Sequence, residues 1–383
     1  MSVLGIIAEY DPFHRGHERH LRLAREAVQP DFTVIAMSAC MKQRGEPAML
    51  SPYDRAACAL EAGADAVFAL PTVWTMRDAE HYALGAVSML AGLGATHLAF
   101  GAETADPEAL WALARKLETP GTAFREALHG LLTEGHGYPR AMSLAMDREA
   151  PALGEILRKP NNILAVCYLR AILKTGAGLI PVPIPRNGAY RDETIHPEAP
   201  SAQALRDALA RGNYGPAGEG LTEKSRETVR TAFLDGSVPR EERMDTLLMD
   251  RLRSMTREEI RALPDVREGL EDRIREAARL CTGRRELIAA VSGRRYPEAR
   301  ISRICAWSLL GMTEERLRAE PLPEKAVLLG LRPHPEMTKA WRSGRIQVTS
   351  EWEDETDLAA WRIRNLCAGL PDTLPWTEQV RKV

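Results

Sequence analysis

Over the first hundred residues, short continuous apolar runs alternate with longer stretches whose apolar positions recur at helical spacing. Val3–Ala8 is one such run, and an unbroken apolar run predicts a strand covered on both faces. Gly16–Ala27 follows with Leu21, Leu23 and Ala24 on one side, the spacing of a helix. Phe32–Met37 predicts a second strand. Pro52–Ala62 predicts a helix with Ser51 as N-cap and proline in its first turn. Ala66–Leu70 predicts a third strand, Ala79–Leu93 a helix closed by Gly94, and His97–Phe100 a fourth strand running into Gly101. Strand and helix in strict alternation predict an α/β fold with a doubly wound parallel sheet.

Beyond the fourth strand the pattern changes. Residues 106–160 read as helical, with Leu110, Leu113 and Leu117 on one face, and Asn161–Thr175 as a further helix. Gly178–Ile184 returns to strand character, but Pro181 and Pro183 cannot donate to a ladder, which confines it to a sheet edge. Ser201–Ala210 is again helical. After Pro216 strand character nearly vanishes, predicting a mostly α-helical C-terminal region. Residues 1–214, carrying a helical insertion at about 106–160, are expected to form one unit and residues 215–383 a second.

Composition narrows the class only a little. The chain has 383 residues, 45% hydrophobic and 27% charged, as in ordinary globular proteins, and its net charge of −2 announces no nucleic-acid partner. A local patch suffices for such a partner, however. Between Arg273 and Arg303 nine arginines stand against three glutamates, the densest basic stretch in the chain. The six cysteines show no C-x-x-C or zinc-ligand spacing and read as reduced, packed thiols. No apolar run approaches a membrane span, and the chain opens on a strand-like run without a charged leader, so a cytoplasmic protein is expected.

The strongest chemical signal is Glu9-Tyr10-Asp11-Pro12-Phe13-His14-Arg15-Gly16-His17, directly after the first strand. His14-x-Gly16-His17 has the H-x-G-H form of nucleotidyltransferases. Nucleotidyl transfer builds negative charge on the α-phosphate and the departing pyrophosphate. Two imidazoles at a helix N-terminus offer donors to those oxygens, reinforced by the helix dipole. Gly16 is expected to let backbone approach the nucleotide. These residues predict ATP as substrate, with His14 and His17 as the catalytic donors.

Other groups fall near the carboxyl ends of the predicted strands, where open parallel sheets bind ligands. Gly101 and Glu103 end the fourth strand. Met37–Ala48, with Gln43, Arg44 and Glu46, follows the second and could hold another substrate. Ser201-Ala202-Gln203-Ala204-Leu205-Arg206 has the form of a pyrophosphate-binding helix start, with a hydroxyl and an arginine. Of Asn161 and Asn162, one is expected to cap a helix and the other to face base or ribose. Arg186 is a phosphate candidate. A plain strand end, a capped helix and a solvated arginine are the alternatives for Gly101, Ser201 and Arg186.

Together these motifs resemble the bacterial tRNA(Met) cytidine acetate ligase family. Gly5–His17, Gln43–Ala48, Gly63–Asp65, Phe100–Glu103, Lys159–Leu164 and Ser201–Arg206 fall in the family's order, with a weaker echo around Tyr296–Leu310. The resemblance implies that ATP and acetate give acetyl-adenylate and pyrophosphate. The acetyl group then passes to N4 of the wobble cytidine of elongator tRNA(Met). It also implies that ATP contacts Ile7, Ala8, Glu9, Tyr10, Asp11, Pro12, Phe13, His14, Arg15, Gly16, His17, Glu18, Arg19 and His20. Gly101, an asparagine of the Asn161–Asn162 pair and Arg186 complete that implied set. Asp11 and Arg15 stand where the family usually has asparagine, the arginine being expected to offset the added carboxylate. Ala39-Cys40-Met41-Lys42 replaces a Gly-Asn-Phe-Val run.

Mg²⁺ is expected to ride on the ATP phosphates without a protein cage. In the basic stretch, Arg284, Arg285, Arg294 and Arg295 flank glycines and are expected to meet tRNA phosphates. Two readings compete: a small-molecule nucleotidyltransferase acting on a phosphorylated cofactor precursor, and an RNA-binding protein with a degenerate nucleotide fold. Small-molecule enzymes of this type have no need of a large Arg-rich helical region, and the intact histidine pair argues against degeneracy.

Overall fold

A computed structural model describes residues 1–186, 196, 198, 200–334, 336–337, 341, 345–373, 375 and 380–382. Its centre is one sheet of β1 (Val3–Ala8), β2 (Phe32–Ser38), β3 (Ala66–Leu70), β4 (His97–Ala102), β5 (Ile180–Pro185), β6 (Lys325–Leu331), β7 (Gln347–Thr349) and β8 (Arg381–Lys382). The order is β5-β4-β1-β2-β3-β6-β7, with β8 also paired to β6. β1, β2, β3, β4 and β5 run parallel, and the chain reverses its direction of winding between β1 and β4.

Local chemistry accounts for these elements. β2 and β3 are buried along their whole length, as their unbroken apolar runs require. Helix α1 (Arg15–Val28) buries Leu21 and Ala24, and helix α2 (Pro52–Glu61) begins as expected, the Ser51 side chain accepting from the Asp54 amide. β5 lies at the edge, its prolines paired in register with Leu98 and Phe100 of β4 and needing no donor on the far side. The insertion folds as helices Pro107–Glu118, Thr122–Thr133, Tyr138–Glu149 and Pro151–Ile156.

The C-terminal region departs from expectation in one respect. It is mostly helical, but β6 joins the sheet antiparallel to β3, and β7 and β8 follow it. The sheet core therefore includes Trp307, Leu329, Trp352 and Trp361, while a separate core built on Leu248, Leu270, Ile274, Leu287 and Ile301 holds the helices between them. A division at residue 215 does not follow these cores. The signal was weak because Lys325–Leu331 is a single short run far from its partner strand in sequence.

Candidate active site

The carboxyl ends of β1 and β4, where winding reverses, form the floor of the site. Tyr10, Asp11, Phe13 and His14 are buried between β1 and α1, whereas Ile7, Ala8, Glu9 and Gly101 are half-buried and open the sheet edge to a ligand. His14 is the N-cap of α1, its Nδ1 accepting from the His17 amide at 3.3 Å. That bond fixes the tautomer, leaving the proton on Nε2. The two imidazoles stack with centroids 3.6 Å apart. His17 also packs edge-on to Tyr10 at 4.9 Å.

Both rings are neutral. Burial, with the nearby guanidinium groups of Arg186 and Arg206 adding to it, pushes His14 down to about 3. Burial likewise holds His17 well below the ordinary range, aided by His14, Arg186, His20 and Arg206. His20, one turn further on, falls to about 4 through burial and Arg186, the Phe100 carbonyl working the other way. The buried atoms Tyr10 Oη, Asp11 Oδ2, His17 Nδ1 and His20 Nε2 have no hydrogen-bond partner among the described residues. Buried polar atoms normally find partners; Asp11 Oδ2 has cations beside it, and the other three, around one helix start, fit a ligand that supplies theirs.

Two arginines converge on this turn. Arg206, on the helix Ala202–Ala210 that Ser201 caps, donates to the Asp11 carbonyl at 2.5 Å. Arg186, at the end of β5, donates to Asn161 Oδ1 at 2.9 Å. Glu103 accepts from Asn161 Nδ2 at 2.6 Å and from the Asn162 amide at 3.0 Å. It thus satisfies the N-terminus of helix Pro160–Thr175, which has no side-chain cap of its own. Asn162, fully buried, spends its amide on Thr104 and the Ile156 carbonyl.

Several expectations change accordingly. Neither asparagine caps its helix; Glu103 does that work, and Asn162 is a loop clamp rather than a ligand-facing group. Gly16 serves His14 first: a Cβ there would stand 2.9 Å from the His14 ring. Gly101 does have open space, a Cβ meeting only Arg186 Cδ at 3.9 Å. Arg15, Glu18 and Arg19 line a surface groove with Arg22 and Glu26, on the flank of α1 away from His17 and His20. Arg15 pairs with Glu198 there and does not offset Asp11. Lys42 does, with its Nζ 3.6 Å from Asp11 Oδ2.

Arg284 is also reassigned. It is buried, donating to Ser302 Oγ at 3.0 Å and Glu46 at 3.2 Å, and so ties the helical region to the loop after β2. Arg285, Arg294 and Arg295 are exposed at helix and turn ends, with Arg285 paired to Glu241 and Arg295 to Glu268. Two residues escaped sequence reasoning. Fully buried Arg55 donates to the carbonyls of Glu9 at 2.7 Å and Ser38 at 2.8 Å, and to Ala39, pinning the ends of β1 and β2 together. An arginine on the otherwise apolar face of α2 was its only signal. Lys42, nearly as buried, lay inside the Met37–Ala48 loop without a role of its own. All six cysteines are unbridged, and the described residues contain no group of three metal-binding side chains and no helix long and apolar enough to cross a membrane.

The chain is similar to proteins of known family. A family model described as HIGH nucleotidyl transferase matches residues 1–344. The tRNA(Met) cytidine acetate ligase of Syntrophomonas wolfei is 34% identical over 325 residues, 83% of this chain and 78% of that protein. That of Syntrophotalea carbinolica is 36% identical over 313 residues, 81% and 74%. A crystal structure of Thermotoga maritima TmcAL bound with alpha-thio ATP superposes with a TM-score of 0.84 at 30% identity, covering 91% of this chain and 85% of that one.

Proposed function

For a chain that belongs to the HIGH nucleotidyltransferases and, among them, to the tRNA(Met) cytidine acetate ligase family, we propose the following course for its ATP-dependent acetylation of tRNA. An acetate oxygen attacks the α-phosphorus of ATP, pyrophosphate leaves, and acetyl-adenylate forms. The N4 amine of the wobble cytidine of elongator tRNA(Met) then attacks the acetyl carbonyl. AMP departs, and the amine loses one proton. The observation that carries this reading is the stacked, neutral His14–His17 pair at the start of α1.

The neutral His14 imidazole, with its proton on Nε2, can donate that N–H to a phosphoryl oxygen. In a buried site such a donor is far more effective than in water. Arg186 and Arg206 lie near the pair and supply the fixed positive charge, held by Asn161 and by the Asp11 carbonyl. Gly101 leaves room for the nucleoside against β4. Mg²⁺ would be held by the phosphate oxygens, since Asp11 already faces Lys42 and Arg206; when bound it would neutralise phosphate charge. The exposed Arg285, Arg294 and Arg295 would meet tRNA phosphates, and the protein would work in the cytoplasm.

Pyrophosphate release, measured with ATP and acetate in the presence and absence of tRNA, tests this reading. Acetate-dependent release is expected. Release that needs a phosphorylated cofactor precursor instead would favour the small-molecule enzyme.

A further inference from the structure

The loop after β2 places a buried ammonium beside the Asp11 carboxylate, in the turn between β1 and α1. Lys42 is 5% exposed and Asp11 1%. Lys42 Nζ lies 3.6 Å from Asp11 Oδ2 and 2.7 Å from Glu46 Oε2. Glu46 in turn pairs with Arg284 of the helical region at 3.2 Å. The other Asp11 oxygen accepts from the Met49 amide at 2.7 Å, so loop and turn are locked together at two points. Arg206 Nη1 stands 3.9 Å from the same Oδ2 while bonding the Asp11 carbonyl.

Lys42 and Arg206 are the cations in ion-pair range of Asp11 among the described residues, buried Arg55 acting on it from further off, and Arg206 is the arginine that the proposed function assigns to the triphosphate. A carboxylate and a guanidinium form a strong bidentate pair whenever geometry allows, and a buried carboxylate without a counter-charge is costly. Were Lys42 absent, the smallest movement that answers Asp11 would close the 3.9 Å gap and spend Arg206 on an internal ion pair. We propose that Lys42 is a positioning residue: by satisfying Asp11 it keeps Arg206 available to the ATP phosphates. Asp11 and Lys42 thus act as one unit, each tolerable because of the other. The inference rests on the reading that Arg206 serves the triphosphate.

The test is a double-mutant cycle on acetate-dependent pyrophosphate release by the full chain. Lys42→Met is expected to raise the KM for ATP about tenfold, the scale of coupling between residues in one network. Asp11→Asn combined with Lys42→Met is expected to bring it back to within about threefold of the parent by the same arithmetic. In an Arg206→Ala background, where KM is already raised, Lys42→Met should add nothing. Independent, multiplicative effects of Lys42→Met and Arg206→Ala would overturn the proposal. If Lys42→Met unfolds, the doubly substituted chain still decides: failure to recover ATP affinity counts against it. An Arg206→Ala chain with an unchanged KM would instead refute the underlying assignment of Arg206.

Discussion

Gly16 and His14 occupy one small space: a side-chain carbon on Gly16 would stand 2.9 Å from His14 Cε1 and 3.0 Å from Nδ1. The glycine of the H-x-G-H sequence therefore sets the orientation of the first histidine before any nucleotide arrives. Replacing Gly16 with alanine should tilt the His14 ring and break its stack on His17. Misplacing a catalytic group by about 1 Å costs on the order of 100-fold. Pyrophosphate release should fall by that order while the melting temperature stays near the parent's. Parent-like turnover in Gly16→Ala would show that the contact does not position His14.

His17 should matter through transition-state charge. Loss of one well-placed donor typically costs on the order of 10²–10³ in rate. His17→Ala is expected to lose that much in acetate-dependent pyrophosphate formation, measured in a single turnover. A variant with near-normal rates removes His17 from the chemistry.

Neutral buried histidines also predict a pH dependence of stability. His14 and His20 take up protons near 6.5 when the chain unfolds but only near 3 and 4 when it is folded. Below pH 6.5 the unfolded chain therefore binds more protons, so stability is complete above that pH and is lost as pH falls towards 4. Each imidazole contributes a slope of about 1.4 kcal/mol per pH unit across its window. Urea midpoints between pH 7.5 and 5 should fall less steeply in His20→Gln than in the parent. Equal slopes would mean that His20 is not held neutral.

How much of this could be read from the sequence depends on the range of the cause. β1, β2, β3 and β4, the Ser51 cap and the edge position of β5 follow from local periodicity, capping and proline chemistry, and all stand as expected. The placement of His14 and His17 at a strand-to-helix turn was legible for the same reason. The roles of Glu103, Asn162, Lys42 and Arg284 were not, because each is fixed by a partner far along the chain. Glu103 reaches Asn161 over 58 residues, and Arg284 reaches Glu46 over 238. Neighbouring residue types carry no record of such pairings. β6 was missed for a related reason: its partner β3 lies at the other end of the chain.

The basic stretch separates into two classes that one experiment distinguishes. Arg284→Ala removes one buried partner each from Glu46 and Ser302 and should cost roughly 1–3 kcal/mol of stability. Replacing Arg294 and Arg295 with alanine should cost under about 0.5 kcal/mol, as exposed substitutions do. If these arginines meet tRNA phosphates, the double replacement lowers the slope of log affinity against log salt by about 0.7 for each phosphate no longer neutralised. An unchanged slope across salt concentrations would place tRNA elsewhere.

Magnesium should be needed with ATP although no cage is evident among the described residues. An excess of chelator is expected to abolish pyrophosphate release, and added Mg²⁺ to restore it. Full activity in chelator would remove the metal from the account.

The central claim is that a His14–His17 nucleotidyl-transfer site makes acetyl-adenylate for a tRNA base. Mass analysis of nucleosides from tRNA incubated with the protein, ATP and isotopically labelled acetate tests it most directly. The account predicts labelled N4-acetylcytidine at the wobble position of elongator tRNA(Met), dependent on ATP and absent with His17→Ala. Unlabelled cytidine under conditions where ATP is consumed, or label on another molecule, would contradict it.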